Sequence, residues 1–334
     1  MITKESYQPI AANTWTGRTD GTEPDLLRWH QVIKVTDLLQ EPLPALLPGQ
    51  KGIALLGFAC DEGVRRNKGR VGAAEGPAAL RKAIAGFPVH FNAQTILLDA
   101  GDIVCVNGEL ENAQTVLREA VQTILLAGYL PVLLGGGHEI TYGHASGIRQ
   151  FIAPQQVGFI NFDAHFDIRI PDEQGASSGT GFWQLAQDCK QAGTPFHYLA
   201  LGIQKLGNTR QLFNIAGEEE ATYVSADAFH LNDKDTLFAA IQHFLSQVDK
   251  VYLTTCLDVF AAPFAPGVSA TAYNGIMPGG LFLQCYRKIL QSGKVAGVDI
   301  AELNPSLDID NRTAKLGAAL IFETVMAYCE EFSF

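Results

Sequence analysis

Residues 157–162, Val-Gly-Phe-Ile-Asn-Phe, form a run of strand length that is apolar on both alternating sides apart from Asn161. A strand with no solvent side must be covered above and below, which selects a largely parallel sheet sandwiched between helices. Similar runs recur at 52–58, 95–99, 129–134, 196–201 and 251–254, and segments such as 111–126 and 235–248 carry apolar residues at helical spacing between them. The alternation predicts one three-layer α/β/α domain over 1–334 with a mainly parallel sheet. Residues 1–48, with prolines at 9, 24, 42, 44 and 48, are less regular and are expected to wrap that domain as an N-terminal extension. At 334 residues and 47% hydrophobic content the chain can bury such a core.

Three of the runs end in groups able to hold a metal. The first leads into Asp163-Ala164-His165-Phe166-Asp167, and strand alternation would turn Asp163, His165 and Asp167 to one side. Two carboxylates and an imidazole suit a divalent ion such as Mn²⁺; the other reading is a polar turn in which Asp163 caps the next helix. The run 130–134 ends in Gly135-Gly136-Gly137-His138-Glu139. Its glycines permit positive φ and let the backbone turn tightly beside a site. His138 then lies at a strand's C-terminal edge, where open α/β sheets bind ligands, or serves as a hydrogen-bonded loop residue. The third run reaches Cys256 and Asp258, two apart and expected on one strand face, although Cys256 also reads as a small buried hydrophobe.

Composition narrows the setting. A formal net charge of -11 with no extended basic stripe argues against a nucleic-acid partner. The six cysteines, at 60, 105, 189, 256, 285 and 329, are scattered without CxxC pairs, which points to reduced thiols rather than a disulfide framework. No signal-peptide pattern and no bilayer-length apolar run is present, so a cytoplasmic protein without a membrane partner is expected.

In their order and spacing, the segments 135–139, 163–167 and 256–259 followed by Ala265-Pro266-Gly267-Val268-Ser269-Ala270 resemble the ureohydrolase superfamily of arginases and agmatinases. Matches at 72–81, 99–102 and 297–305 spread the resemblance over roughly residues 50 to 330. It implies an arginase-like fold, two Mn²⁺ ions at the sheet edge, a small-molecule substrate and a homo-oligomer. It also implies ligand roles: Asp163 bridging both ions, His138 and Asp167 on the first, His165 and Asp258 on the second. Where arginases have a second bridging Asp, this chain has Cys256, a soft donor that disfavours Mn²⁺ relative to Zn²⁺ or Fe²⁺. Three outcomes stay open there: a bridging thiolate, a ligand to one ion, or a thiol outside the shell with a weakened second site. Ala261-Ala262 also replace the frequent Asp-Pro.

Four details resemble the branch that hydrolyses N-formimidoyl-L-glutamate to L-glutamate and formamide in histidine degradation. They are Arg169, Ser177-Ser178-Gly179-Thr180, the basic loop 65–70 and the 265–270 segment. The implied chemistry is attack of a metal-bound hydroxide on the amidine carbon. Asp163 and Glu302 carry the catalytic roles, Glu302 by pairing with the cationic amidinium, unless it is a surface acid. The dicarboxylate requires local positive charge in an acidic chain. Arg169 is the first candidate, then Arg66, Asn67 and Arg70 of a loop that also reads as solvated surface, with Ser178 beside them. Asp299 is a candidate outer partner, and His144 is expected to pack or cap its helix. The alternatives are another ureohydrolase of agmatinase, guanidinobutyrase or arginase type, and a catalytically silent anion-binding relative.

Overall fold

The protein, as a computed structural model, is described over residues 2–329. Its strands are β1 (Tyr7–Gln8), β2 (Lys34–Val35), β3 (Lys51–Ala59), β4 (Thr95–Val104), β5 (Tyr129–Leu134), β6 (Val157–Phe162), β7 (His197–Ile203), β8 (Thr222–Ser225), β9 (Lys250–Cys256) and β10 (Val295–Ala301). They form one sheet in the order β1-β4-β3-β5-β10-β9-β6-β7-β8, with β2 also on β4. Among the pairings of these strands in the described residues, only β1–β4 is antiparallel.

Neighbouring residues of one strand feed opposite layers. Leu55, Leu134, Phe162 and Ile300 join one apolar cluster, with helices Gly76–Ile84, Gly280–Leu290 and Arg312–Tyr328. Leu56, Leu133, Phe159 and Tyr252 join the other, with helices Leu110–Leu126, Ile140–Ile152 and Gly181–Gln191. Each such side chain contributes about 1.5–3 kcal/mol on burial, so a sheet filled on both sides is favoured over one with a wet face. Layered α/β architecture with a mainly parallel sheet is therefore as the sequence predicts.

Two elements differ from the sequence expectation. The run read as 95–99 extends to Val104, because β3 keeps pairing with it past a register shift between Leu55 and Gly57. Residues 295–301, legible only as a motif, are a central strand. The N-terminal segment lies along one edge: β1 and β2 both pair with β4, and Trp15 Nε1 donates to Asp99 Oδ2 at 2.9 Å. Asp99 in turn pairs with buried Arg81. Among the described residues no helix is long and apolar enough to cross a membrane.

The consequence for function is an adjacency. β5, β10, β9 and β6 are consecutive in the sheet and mutually parallel. Their C-terminal ends therefore open on one edge.

Candidate metal centre

β5 leaves the sheet through 135–137, squeezed between the ends of β3 and β10. Gly135 N–H donates to Ile300 O (2.8 Å), Gly137 N–H to Cys60 O (2.9 Å) and Glu302 N–H to Gly136 O (2.8 Å). A β-carbon at Gly135 would meet the Ile300 carbonyl, and one at Gly136 the carbonyls of Cys60 and Phe58. None of the three glycines has positive φ. The freedom of glycine to take positive φ is therefore not what is used here; close backbone passage is what excludes side chains. His138 emerges buried, its Nε2 2.9 Å from Thr254 Oγ1 and its N–H donating to Glu302 Oε1 at 2.9 Å.

β6 stops at Phe162, so Asp163, His165 and Asp167 stand on a turn and strand alternation is not what gathers them. Asp167 takes φ 46°, in the left-handed region, and Asp163 Oδ1 accepts the His165 N–H at 2.7 Å. Asn208 braces the turn, accepting from Phe166 N–H (3.0 Å) and donating to Ala164 O (2.8 Å). Cys256 ends β9, but Asp258 sits in the 3-10 turn Leu257–Val259; that turn, and no shared strand face, brings the pair together.

The donors converge in two overlapping groups. His138 Nδ1 is 2.9 Å from Asp163 Oδ2 and 2.7 Å from Asp167 Oδ2, and His165 Nδ1 is 3.3 Å from Asp163 Oδ1 and 3.2 Å from Asp258 Oδ2. Asp163 thus turns one oxygen to each group. Donor atoms of His138, Asp163 and Cys256 lie within 4.8 Å of one another, as do those of Asp163, His165 and Asp258. His138 Nδ1 and Asp258 Oδ1 are buried without a hydrogen-bond partner. For His138 this holds although the Asp163 and Asp167 oxygens lie 2.9 and 2.7 Å away. Atoms that crowd together without bonding one another fit a shared cation.

Charge follows from the crowding. Asp163 is held well below the usual carboxylate range: burial opposes this, and contacts from His138 and His165 outweigh it. Burial and the Asp163 charge push Asp258 up to about 6 and raise Asp167. Glu302, at φ 69°, is raised well above its ordinary value by burial, Glu139 and Asp258. Burial pushes Glu139 up to about 7. The Cys256 thiol is raised by burial and then by surrounding carboxylates, Asp163 first; a bound cation would reverse that.

A cavity of about 350 Å³ opens over these donors and is lined also by Asn67, Lys68, Arg70, Arg169 and Ser178. Asn67 Nδ2 donates to Ser178 Oγ at 3.1 Å. Arg70 lines it too, with its guanidinium bonded to Ser269 O (2.9 Å) and Val268 O (2.8 Å). Arg66 departs from expectation. Its guanidinium pairs with Glu62 (2.9 Å) and Glu111 (2.6 Å), and it lines a neighbouring cavity instead. Asp299 also turns away, meeting His144 Nδ1 at 2.6 Å inside the core. Sequence reasoning passed over Thr254, Asn208, Glu139 and Lys68. For Thr254 a signal existed, a hydroxyl within a fully buried strand.

Residues 51–327 match the arginase family. Formimidoylglutamase of Clostridium tetani is 41% identical to the chain over 325 residues, 96% of each. That of Chromobacterium violaceum is 44% identical over 310 residues, covering 92% of this chain and 95% of the other. Among solved structures, formimidoylglutamase of Bacillus subtilis superposes with a TM-score of 0.79 at 21% identity, covering 93% of this chain and 94% of that one. Formiminoglutamase of Trypanosoma cruzi with two Mn²⁺ ions gives 0.72 at 25% identity, covering 85% and 97%. With a family match along 51–327 and relatives above 40% identity nearly end to end, this chain belongs to the arginase family.

Proposed function

We propose that the chain hydrolyses N-formimidoyl-L-glutamate to L-glutamate and formamide, as a step of histidine degradation, with the help of two Mn²⁺ ions. The observation that carries the reading is Asp163, which turns one oxygen to each of two donor groups beside the buried Glu302. Relatives bearing the formimidoylglutamase name at 41–44% identity support the substrate.

In this reading His138, Asp163, Asp167 and Cys256 hold one ion, and Asp163, His165 and Asp258 the other. When bound, such ions lower the pKa of water to about 7 and so supply a nucleophile at neutral pH. Thr254 fixes the imidazole of His138 through Nε2, leaving Nδ1 to face the site. Glu302, its Oε1 tied to the His138 N–H, offers its carboxylate to the planar amidinium. The cationic substrate opposes the burial that raises Glu302, so substrate binding and ionisation of Glu302 are linked. Water adds to the amidine carbon, the bond from that carbon to the glutamate nitrogen breaks, and the nitrogen takes up a proton as the amine leaves. Arg169 takes a substrate carboxylate at the mouth, with Asn67, Ser178 and the charge of Arg70 beside it. Arg66 orders the loop through its two glutamates.

A single domain is supported by one sheet through all ten strands. A cytoplasmic setting is supported by six cysteines that form no disulfide among the described residues, and a homo-oligomer by the family resemblance.

The test is formamide release from formimidoylglutamate by metal-stripped protein resupplied with Mn²⁺, with guanidinobutyrate, agmatine and arginine alongside. Turnover of the first alone supports the reading. Urea from a guanidino substrate would overturn the substrate, and silence on all four would favour a silent anion-binding relative.

A further inference from the structure

The basic loop carries four cations, and the fold gives them different fates. Arg65 pairs with Glu62 at 2.6 Å, and Arg66 with Glu62 and Glu111. Arg70 bonds two backbone carbonyls. Lys68 alone has neither an ion pair nor a side-chain hydrogen bond among the described residues. It stands at φ 61°, just past helix Glu62–Arg66, where the Gly69 N–H closes on Val64 O at 2.8 Å. Glycine or asparagine is the ordinary occupant of such a position. A lysine brings a β-carbon into a disfavoured region, and no ion pair or side-chain hydrogen bond among the described residues compensates.

Lys68 lines the metal cavity and also a second cavity of about 350 Å³, which reaches Gln211, Leu212 and Ile215. Arg169 lines both as well, and it too has no side-chain partner among the described residues. Its side chain lies across Gly179, where a β-carbon would come within 3.2 Å of Cδ and 3.4 Å of Nε. The wall between the two cavities therefore carries two uncommitted cations from separate segments, one laid flat against a glycine and one on a flexible stem.

We propose that Lys68 is a specificity-determining residue that binds the side-chain carboxylate of the amidine dicarboxylate, while Arg169 holds the α-carboxylate. The assignment rests on the formimidoylglutamate reading above. The α-carboxylate lies close to the amidine and moves little once the amidine is placed, which suits the planar fork of Arg169. The distal carboxylate ends a flexible chain, and a compact ammonium with rotatable donors can follow it.

The experiment compares kcat and KM of the Mn²⁺-loaded wild type, Lys68→Met and Lys68→Arg on N-formimidoylglutamate and N-formimidoylglutamine. Methionine keeps the stem and places no new demand on the backbone. Lys68→Met should raise KM for the glutamate substrate about tenfold with kcat unchanged. The KM for the glutamine analogue should stay within about twofold, and Lys68→Arg should recover most of the loss. An equal change on both substrates, or none on either, overturns the assignment of Lys68 alone. A wild type that turns over neither amidine overturns the formimidoylglutamate reading and this assignment with it.

Discussion

Asp163 accomplishes with one side chain what the two donor groups need: its oxygens diverge, Oδ2 to His138 and Oδ1 to His165. Asp163→Asn keeps the shape and removes the charge and one acceptor. The variant should lose bound metal, read by elemental analysis, together with activity, by roughly a thousandfold or more in kcat. Wild-type turnover with metal lost, or full metal with activity lost, would separate roles that the geometry joins. Cys256 poses the sharper question. Its sulfur belongs to the His138 group, in surroundings that hold the thiol protonated unless a cation is near. Replacing it by a hard carboxylate, Cys256→Asp, should strengthen Mn²⁺ binding at least about tenfold and weaken any preference for Zn²⁺. Calorimetric titration reads this directly, and unchanged affinities would put the sulfur outside the coordination shell.

Four adjacent strand ends supply the site, and the tightest joint among them is the glycine passage between β3, β5 and β10. Gly136→Ala would press a methyl group onto the carbonyls of Cys60 and Phe58. The expected cost is about 2–4 kcal/mol in urea unfolding, with weaker metal binding because His138 and Glu302 hang from the same backbone. Gly86→Ala, where nothing lies within 4 Å, should stay within about 0.5 kcal/mol and serves as the control. The joint also marks what a sequence can disclose. β5 and β6 are legible to their end residues because both sides are apolar. β10 is obscured because Gly297 and Asp299 interrupt its pattern, for a reason far away in the chain: the glycine makes room for His144 and the aspartate pairs with it. The donor set is legible through residue type and order. The left-handed turn at Glu302 is not, since glutamate does not announce that conformation, and Asp167, of a type that tolerates it, carries no local signal that it is used. Nor does the basic loop disclose that Arg66 meets Glu111, forty-five positions on, while Lys68 has no ion pair or side-chain hydrogen bond among the described residues.

At the scale of the molecule, the fold concentrates carboxylates that repel one another, and stability should therefore depend on pH in opposite ways with and without metal. Glu139 is raised from 4.5 to about 7 and Asp258 from 3.8 to about 6, while Asp167 and Glu302 are raised as well. Each holds a proton in the folded state where the unfolded chain has released it. Their contribution is complete below the unfolded values and is lost as pH rises through the folded ones. His138 and His165, both raised because neighbouring carboxylates outweigh their burial, act in the same direction. Asp163, lowered, contributes above its unfolded value and loses that only as pH falls, so it adds no slope between pH 5 and 8. Metal-stripped protein should accordingly lose stability over that interval. Glu139 alone accounts for on the order of 3 kcal/mol at about 1.4 kcal/mol per pH unit, and Glu139→Gln should flatten that part of the curve. Metal binding requires Asp167, Asp258 and the two imidazoles of that set deprotonated, so it strengthens as pH rises and offsets the repulsion where it is greatest. The gap in Tm between Mn²⁺-loaded and stripped protein should widen from pH 5.5 to 8 in scanning calorimetry. Parallel curves would mean that these carboxylates are not gathered for a cation, and the assignment of both donor groups would fall together.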